Sequence, residues 1–504
     1  MKAEIIERTD IVETKAGKIQ GYRENGLEIF KGIPYTEPPI GELRFKSPVD
    51  KKSWDGVLET IEYSACAYQG YTELEEWLGK HEPESEDCLF LNIWTPATDE
   101  RKRPVMFWIH GGAFIIGTGN DPMYDGSALA LRGGVVVVTI NYRLGLFGFP
   151  YLSGITANVG SLDQIKALEW VYDNIELFGG DPNNVTIFGE SAGGYSVVSL
   201  CSMPAAKGLF RRVIAQSAPF IDPAVSEKTT KKILRKLGIK GGNIDVARDI
   251  PPEQIIETQN KFFAEDPTNI LALRPLLDGK IWPKHPLKAF EDGDCKNIDF
   301  MIGTNLDEGK LFTAMQALGS MISEGEKLII GYLGMQGIDP ERSKKLIDTY
   351  KTAREGKFST EPKELIDSFL TDIVFRIFTT RLLEAQRPYQ PNTYNYMFSW
   401  QSPAFGGNLG ACHALEIPFV FGTLEAPTLK DFVTINSETK ALSEKMMDAW
   451  IAFARTGNPN HKDIPEWPAY DAEKRATMVF GTECRVENAI FDKERKAWDG
   501  LLEI

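Results

Sequence analysis

Histidine is scarce in this chain, with five among 504 residues, so any chemistry that needs an imidazole has few places to find one. Cysteine is scarce too: Cys66, Cys88, Cys201, Cys295, Cys412 and Cys484 show no C-x-x-C spacing, which argues against both a zinc site and a disulfide framework. Free thiols are the expectation. No H-E-x-x-H or H-x-H pattern occurs, and neither a metal nor another cofactor is expected. No apolar run approaches the roughly 18 residues of a membrane span; the longest, Val135 to Ile140, has the length of a buried strand. The N-terminal stretch from Met1 to Asp10 carries charges where a signal peptide needs an apolar core, so a cytoplasmic location is expected. Neither internal repeats nor low-complexity linkers appear, and a single domain over 1–504 follows as the expectation. Cations are outnumbered: 56 Lys and Arg face 71 Asp and Glu, for a net charge of −15. Such a chain repels nucleic acid and anionic lipid, so neither is expected as a partner.

What is present is an ordinary globular composition, 42% hydrophobic and 25% charged, with a clear alternation of strands and helices. Leu89 to Trp94, Val105 to Ile109 and Val135 to Ile140 are near-continuous apolar runs, as in strands covered on both faces. Arg212 to Ser217 and Asp299 to Gly303 read the same way. Between Ser161 and Gly179 the residues Leu162, Ile165, Leu168, Tyr172 and Ile175 recur at helical spacing, with Ser161 as N-cap and Gly179 just past the end. This predicts an α/β fold with a mostly parallel sheet. Residues 11–35 suit antiparallel edge strands, and the acidic stretch from Glu73 to Cys88 a solvated loop. Residues 222–296 and 320–390 read as helical segments covering the strand ends. In the second, Leu365, Ile366, Phe369, Leu370, Ile373 and Ile377 trace one apolar face; core packing is favoured over a membrane-seeking role because Asp367, Asp372 and Glu384 interleave.

The strongest local signal is Val185-Thr186-Ile187-Phe188-Gly189-Glu190-Ser191-Ala192-Gly193-Gly194, a short strand, a G-x-S-x-G turn and then helix-compatible sequence. In that context the pattern predicts a nucleophile elbow with Ser191 at its tip. A serine hydroxyl needs a base, and in the order serine, acid, histidine the candidates are His285, His413 and His461. His413 is favoured, because a glycine-rich loop, Gly406 to Gly410, meets the apolar run Ile417 to Phe421 there. The acid should end a strand between the two; Asp307 and Glu308, after Phe300 to Ile302, both qualify, and their spacing does not choose between them. An oxyanion would be met by the backbone N–H of Ala192 and by a loop such as His110-Gly111-Gly112-Ala113-Phe114, which follows Trp108-Ile109. His110 then belongs to that loop and is not the base.

Two longer stretches, Phe178 to Gly194 and Glu86 to Trp94, resemble the two signatures of the type-B carboxylesterase family. The likeness runs from Gly32-Ile33-Pro34-Tyr35 through Asn141 to Gly145 and on to Trp467-Pro468-Ala469-Tyr470. It is most like the bacterial para-nitrobenzyl-esterase-like branch in His110 to Phe114 and His413 to Phe419. The resemblance implies an α/β-hydrolase fold and a serine esterase that works through an acyl-enzyme. By position it assigns Ser191 as nucleophile, Glu308 as acid and His413 as base, with Gly112, Ala113 and Ala192 as oxyanion donors. It also implies structural ion pairs Arg44–Glu86 and Arg143–Asp163. The cysteines matching Cys66 and Cys88 are bridged in secreted relatives; here reduced thiols are expected. Phe114, Tyr195, Leu311 and Phe312, next to these positions, are candidate walls for a small-molecule ester of short to medium acyl chain or an aryl ester. A lipase acting on longer acylglycerols is the alternative, and a monomer or weak homo-oligomer is expected. A peptidase on the same fold would differ in cleaving amides, and a non-catalytic adhesion relative would usually lack the serine.

Overall fold

The computed structural model describes residues 7–70, 83–266, 269, 271–314 and 325–501. Most of the acidic stretch from Glu73 and the start of the second helical segment lie outside the described residues. Among the described residues a twelve-stranded sheet runs through the molecule. Its strands in chain order are β1 Glu7–Arg8, β2 Tyr22–Glu24, β3 Leu27–Pro34, β4 Phe90–Thr95, β5 Arg103–Ile109, β6 Val136–Ile140, β7 Gly180–Glu190, β8 Arg212–Gln216, β9 Asp299–Asn305, β10 Thr393–Phe398, β11 Ala476–Phe480 and β12 Arg485–Asn488. In space they follow the order β1-β2-β3-β4-β6-β5-β7-β8-β9-β10-β11-β12. From β6 to β11 neighbouring strands are parallel, while antiparallel strands close both ends. This is the mostly parallel sheet of an α/β-hydrolase fold.

Side chains alternate across a strand, so β5 feeds two cores at once: Val105, Phe107 and Ile109 go to one face, Met106 and Trp108 to the other. The central strands β5 to β9 are β-branched and apolar because no face of them meets water. The run from Arg103 to Ile109 is buried throughout. Strand β7 is longer than its sequence suggests. Asp181 to Asn184 have the residue types of a turn but lie inside it as an irregularity in the pairing with β5, with Asp181 Oδ1 accepting the Asn183 N–H at 2.9 Å. The turn chemistry is real, but it makes a bulge.

The helix α1, Val159–Asn174, starts earlier than the cap reading placed it. Ser161 is buried within its first turn, and Asn158 takes the N-cap position at φ 54. A distant contact decides this: the Asn158 amide donates to the Leu276 carbonyl and accepts the Leu276 N–H, both at 2.9 Å. A 3-10 turn, Ile175–Phe178, then leads to Gly179 in the left-handed region at φ 73. Helix α2, Ala192–Leu200, follows β7 directly, and α3, Gly309–Ala314, follows β9.

Both ion pairs are present. Arg44 Nε holds Glu86 Oε1 at 2.6 Å. Arg143 grips Asp163 twice, Nη2 to Oδ1 at 2.7 Å and Nε to Oδ2 at 2.8 Å, tying the chain after β6 to α1. Both partners of that second pair are buried, and leaving one alone in such a setting costs about 3–5 kcal/mol.

Helices Lys228–Lys236, Pro252–Glu265 and Pro286–Glu291 occupy the first of the segments read as helical, and Gly325–Met335, Pro340–Arg354, Pro362–Leu370 and Ile377–Gln386 the second. A π-helical turn, Thr371–Arg376, joins the last two. Leu365, Phe369, Ile373 and Ile377 pack with Trp498 in a small core of their own, so that apolar face is covered by protein. No helix among the described residues is long and apolar enough to cross a membrane. The Cys66 thiol donates to the Pro83 carbonyl at 3.5 Å, and Cys88 is a buried free thiol.

Candidate active site

Strand β7 ends at Glu190 and α2 begins at Ala192, leaving one residue to reverse the chain. That residue, Ser191, has φ 55 and ψ −121, a backbone conformation side-chain-bearing residues rarely hold unless the surroundings force it. The surroundings do force it. A Cβ on Gly189 would lie 2.6 Å from the Ile109 carbonyl oxygen, and one on Gly193 would collide with the same oxygen. The Ser191 N–H donates to the Gln216 carbonyl at 3.0 Å, which pins the turn to the end of β8.

His413 reaches this turn from the loop before Ile417–Phe421. Its Nδ1 lies 2.6 Å from Glu308 Oε2. Its Nε2 lies 3.1 Å from Glu190 Oε1, so the far side of the ring faces the elbow one residue before Ser191. Glu308 is fully buried at the end of β9. Its Oε1 accepts from the Ser217 hydroxyl at 2.5 Å and from the Asn305 N–H at 2.6 Å. Asp307, the other acid the sequence allowed, turns away: its Oδ2 accepts the Ala411 N–H at 3.0 Å and its Oδ1 lies 3.6 Å from Lys310 Nζ. Neighbouring residues at a strand end point in opposite directions, and here only Glu308 points at the imidazole.

The loop after β5 carries three consecutive residues at positive φ: Gly112 at 100, Ala113 at 53 and Phe114 at 63. The Gly112 carbonyl turns inward to accept from Ile115 and Ile116, both at 3.0 Å. Among the described residues, no hydrogen bond takes up the backbone N–H of Gly112, Ala113 or Ala192. Successive N–H groups in such a conformation form an anion-receiving concavity, and the first N–H groups of a helix add to it. His110 is buried, lies flat on Tyr142 at 4.4 Å between ring centroids, and has Nδ1 2.8 Å from the Gly111 carbonyl; it shapes the loop. His285 caps helix Pro286–Glu291 by accepting the Leu287 N–H, and His461 Nε2 lies 3.0 Å from the Lys445 carbonyl. Neither reaches the elbow by these contacts.

Glu190 is the residue that sequence reasoning passed over. Only 3% exposed, it precedes Ser191 in the elbow and places Oε1 3.1 Å from His413 Nε2. Burial drives its carboxyl up to about 8, opposed by His413 and aided by Glu416 and Glu308. Burial alone would favour neutral His413, but Glu190 and then Glu308 outweigh it and raise the imidazole to about 9. Two buried carboxylates, Glu190 and Glu308, contact one imidazole, so the proton between Glu190 and His413 belongs to the pair. Glu416 is held by Gln216 Nε2 at 3.0 Å and Asn305 Nδ2 at 2.7 Å, which fastens the His413 loop to the ends of β8 and β9. The available signal for both was a charged residue set in an otherwise apolar run.

Of the four candidate wall residues, Phe312 is partly buried and lies 5.3 Å from the His413 ring, with Phe375 of the π-helical turn at 4.7 Å. Phe114, Tyr195 and Leu311 are instead packed into the cores on the two faces of the sheet. The Tyr195 hydroxyl donates to the Ile221 carbonyl at 3.0 Å. Among the described residues one His and carboxylate cluster, Asp448, His461 and Asp463, has the spacing of metal ligands. Arg132 already holds both Asp448 oxygens, at 2.7 Å each, so the cluster reads as a surface ion-pair network.

A model described as "Carboxylesterase family" matches residues 8–498. The chain is 39% identical over 497 residues to para-nitrobenzyl esterase of Bacillus subtilis, covering 95% of this chain and 96% of that one. It is 36% identical to phenmedipham hydrolase of Pseudarthrobacter oxydans, covering 94% of this chain and 95% of that one. Among solved structures, a Geobacillus stearothermophilus carboxylesterase superposes with a TM-score of 0.85 at 39% identity, over 97% of this chain and all of the other.

Proposed function

The chain belongs to the carboxylesterase family and is a carboxylic ester hydrolase, and from that membership we propose that Ser191, Glu308 and His413 are its catalytic triad. The observation that carries this reading is one imidazole between two elements: Nδ1 on Glu308 and Nε2 turned to the elbow that holds Ser191 under strain. In the proposed cycle His413 takes the Ser191 proton as Oγ attacks the ester carbonyl. Gly112, Ala113 and Ala192 donate their N–H groups to the oxyanion, one such donor being worth about 3–4 kcal/mol of barrier. The imidazolium then protonates the leaving alcohol, and water attacks the acyl-enzyme with His413 again as base. Aryl and short- to medium-chain esters are the proposed substrates, supported by Phe312 and Phe375 beside the imidazole and by the name of the para-nitrobenzyl relative. A monomer or weak homo-oligomer in the cytoplasm is the proposed form. The net charge of −15 supports solubility.

Labelling tests the assignment. Exposure to an organophosphate should add one phosphyl group, found on the peptide containing Ser191, in step with loss of ester turnover. A label elsewhere, or turnover surviving full labelling of Ser191, would overturn it.

The pH profile tests the proton sharing. Only neutral imidazole can accept the serine proton, so the rate rises with pH as His413 deprotonates. An unperturbed imidazole would place that rise at about pH 6–7. Beside Glu190 and Glu308 the midpoint of kcat/KM is expected above that range, toward the 8 to 9 of the coupled pair. Glu190→Gln removes one of the opposing charges and should move the midpoint down by about one unit. A midpoint near 6.5 in both proteins would refute the sharing.

A further inference from the structure

We propose that Cys201 and Cys295 form a dithiol which a peroxide converts to an intramolecular disulfide, clamping the end of α2 to the segment before β9. Cys201 is the C-cap of α2, and its thiol donates to the Val197 carbonyl at 3.3 Å. Cys295 is buried in the turn before Asp299, its Sγ 3.6 Å from the Cys201 carbonyl oxygen. Burial and, after it, the neighbouring Cys295 thiol raise the Cys201 thiol. The backbone around Cys295 is fixed, because its carbonyl accepts from Gln386 Nε2 and from the Ile298 N–H, both at 3.0 Å. The sulfurs, not the main chains, therefore have to turn for the bond to form.

Exposure sets the order of events. Cys201 is partly exposed and Cys295 buried, so hydrogen peroxide meets Cys201 first. The Cys201 thiolate attacks one peroxide oxygen, the O–O bond breaks, and a sulfenic acid and water result. Cys295 sulfur then attacks the sulfenic sulfur, expelling a second water as the S–S bond forms. In sum two thiols and one peroxide give one disulfide and two waters. Burial pushes the Cys201 thiol up, so the reaction is expected to be slow near neutrality and faster in mild alkali. The nine residues of α2 place this pair about 14 Å along the helix from Ser191. The crosslink spans 94 positions of chain, so it should stabilise the fold without touching the chemistry.

The test uses the full chain, treated with hydrogen peroxide at about pH 8.5, blocked with an alkylating agent and digested without reductant. The expected product is one linked peptide pair joining Cys201 to Cys295, two mass units below the sum of the thiol peptides, with Tm raised by several degrees and ester turnover kept. Cys201→Ser and Cys295→Ser should each abolish both the linked pair and the Tm rise; either variant suffices if the other folds poorly. Recovery of Cys201 as an alkylated thiol or as a sulfonic acid without the link, linkage of Cys201 to any other cysteine, or a Tm rise that persists in the variants would each overturn the proposal.

Discussion

Ser191→Ala lowers kcat about 10⁶-fold while leaving the fold and the Tm close to those of the parent. The magnitude follows from what remains: with the proposed nucleophile gone, the proposed oxyanion donors and substrate binding still accelerate attack by water, typically by 10³–10⁴ over the uncatalysed reaction. The structural effect is small because alanine keeps the Cβ, so the strain at φ 55 and the N–H bond to Gln216 are unchanged. The measurement is para-nitrophenyl acetate turnover beside a thermal melt. A variant with a tenth of parental activity would mean another residue attacks the ester.

Glu308→Gln is expected to lower kcat about 10⁴-fold, by a mechanism visible in the hydrogen bonds. Glu308 Oε1 receives the Asn305 backbone N–H and the Ser217 hydroxyl, while Oε2 faces His413 Nδ1. The Asn305 N–H can only donate, so the single oxygen of glutamine must stay there and its NH₂ must face the imidazole. A donor at that point forces Nδ1 to accept, which moves the ring proton to Nε2 and turns the base into its useless tautomer. Glu308→Asp keeps the charge but shortens the reach, and should retain more activity than the isosteric glutamine. If Glu308→Gln equals the parent in kcat across the pH range, the carboxylate has no role in orienting the base.

Much of this arrangement was legible in the residues. The glycines around Ser191 announce a chain reversal, because only glycine fits beside the Ile109 carbonyl, and five histidines leave few choices of base. The strands β5, β6, β8 and β9 declare themselves by short apolar runs at their centres. Direction was not legible. Asp307 is drawn to the Ala411 N–H on a loop a hundred positions away, while Glu308 takes the N–H of Asn305 three residues before it, and the residue types do not announce that division. Phe114, Tyr195 and Leu311 adjoin the proposed catalytic positions in sequence, yet a turn and a helix aim them into the cores. Ser161 has good cap chemistry, but Asn158 takes the cap because Leu276 holds it. Glu190 fills the unspecified position before the serine of G-x-S-x-G; only its three-dimensional neighbours reveal a carboxyl kept from water and set against His413.

Strands β5, β7, β8 and β9 run parallel, and the proposed oxyanion loop, Ser191, Ser217 and Glu308 all follow their last residues, while the Cys201 and Cys295 pair lies a helix length away toward the opposite rim. The molecule is thereby divided into a working rim and an idle one. Loop exchange at the first retunes which esters are accepted, and anchoring to a support or fusion to another protein is best routed through the second, where handling the enzyme leaves its selectivity alone.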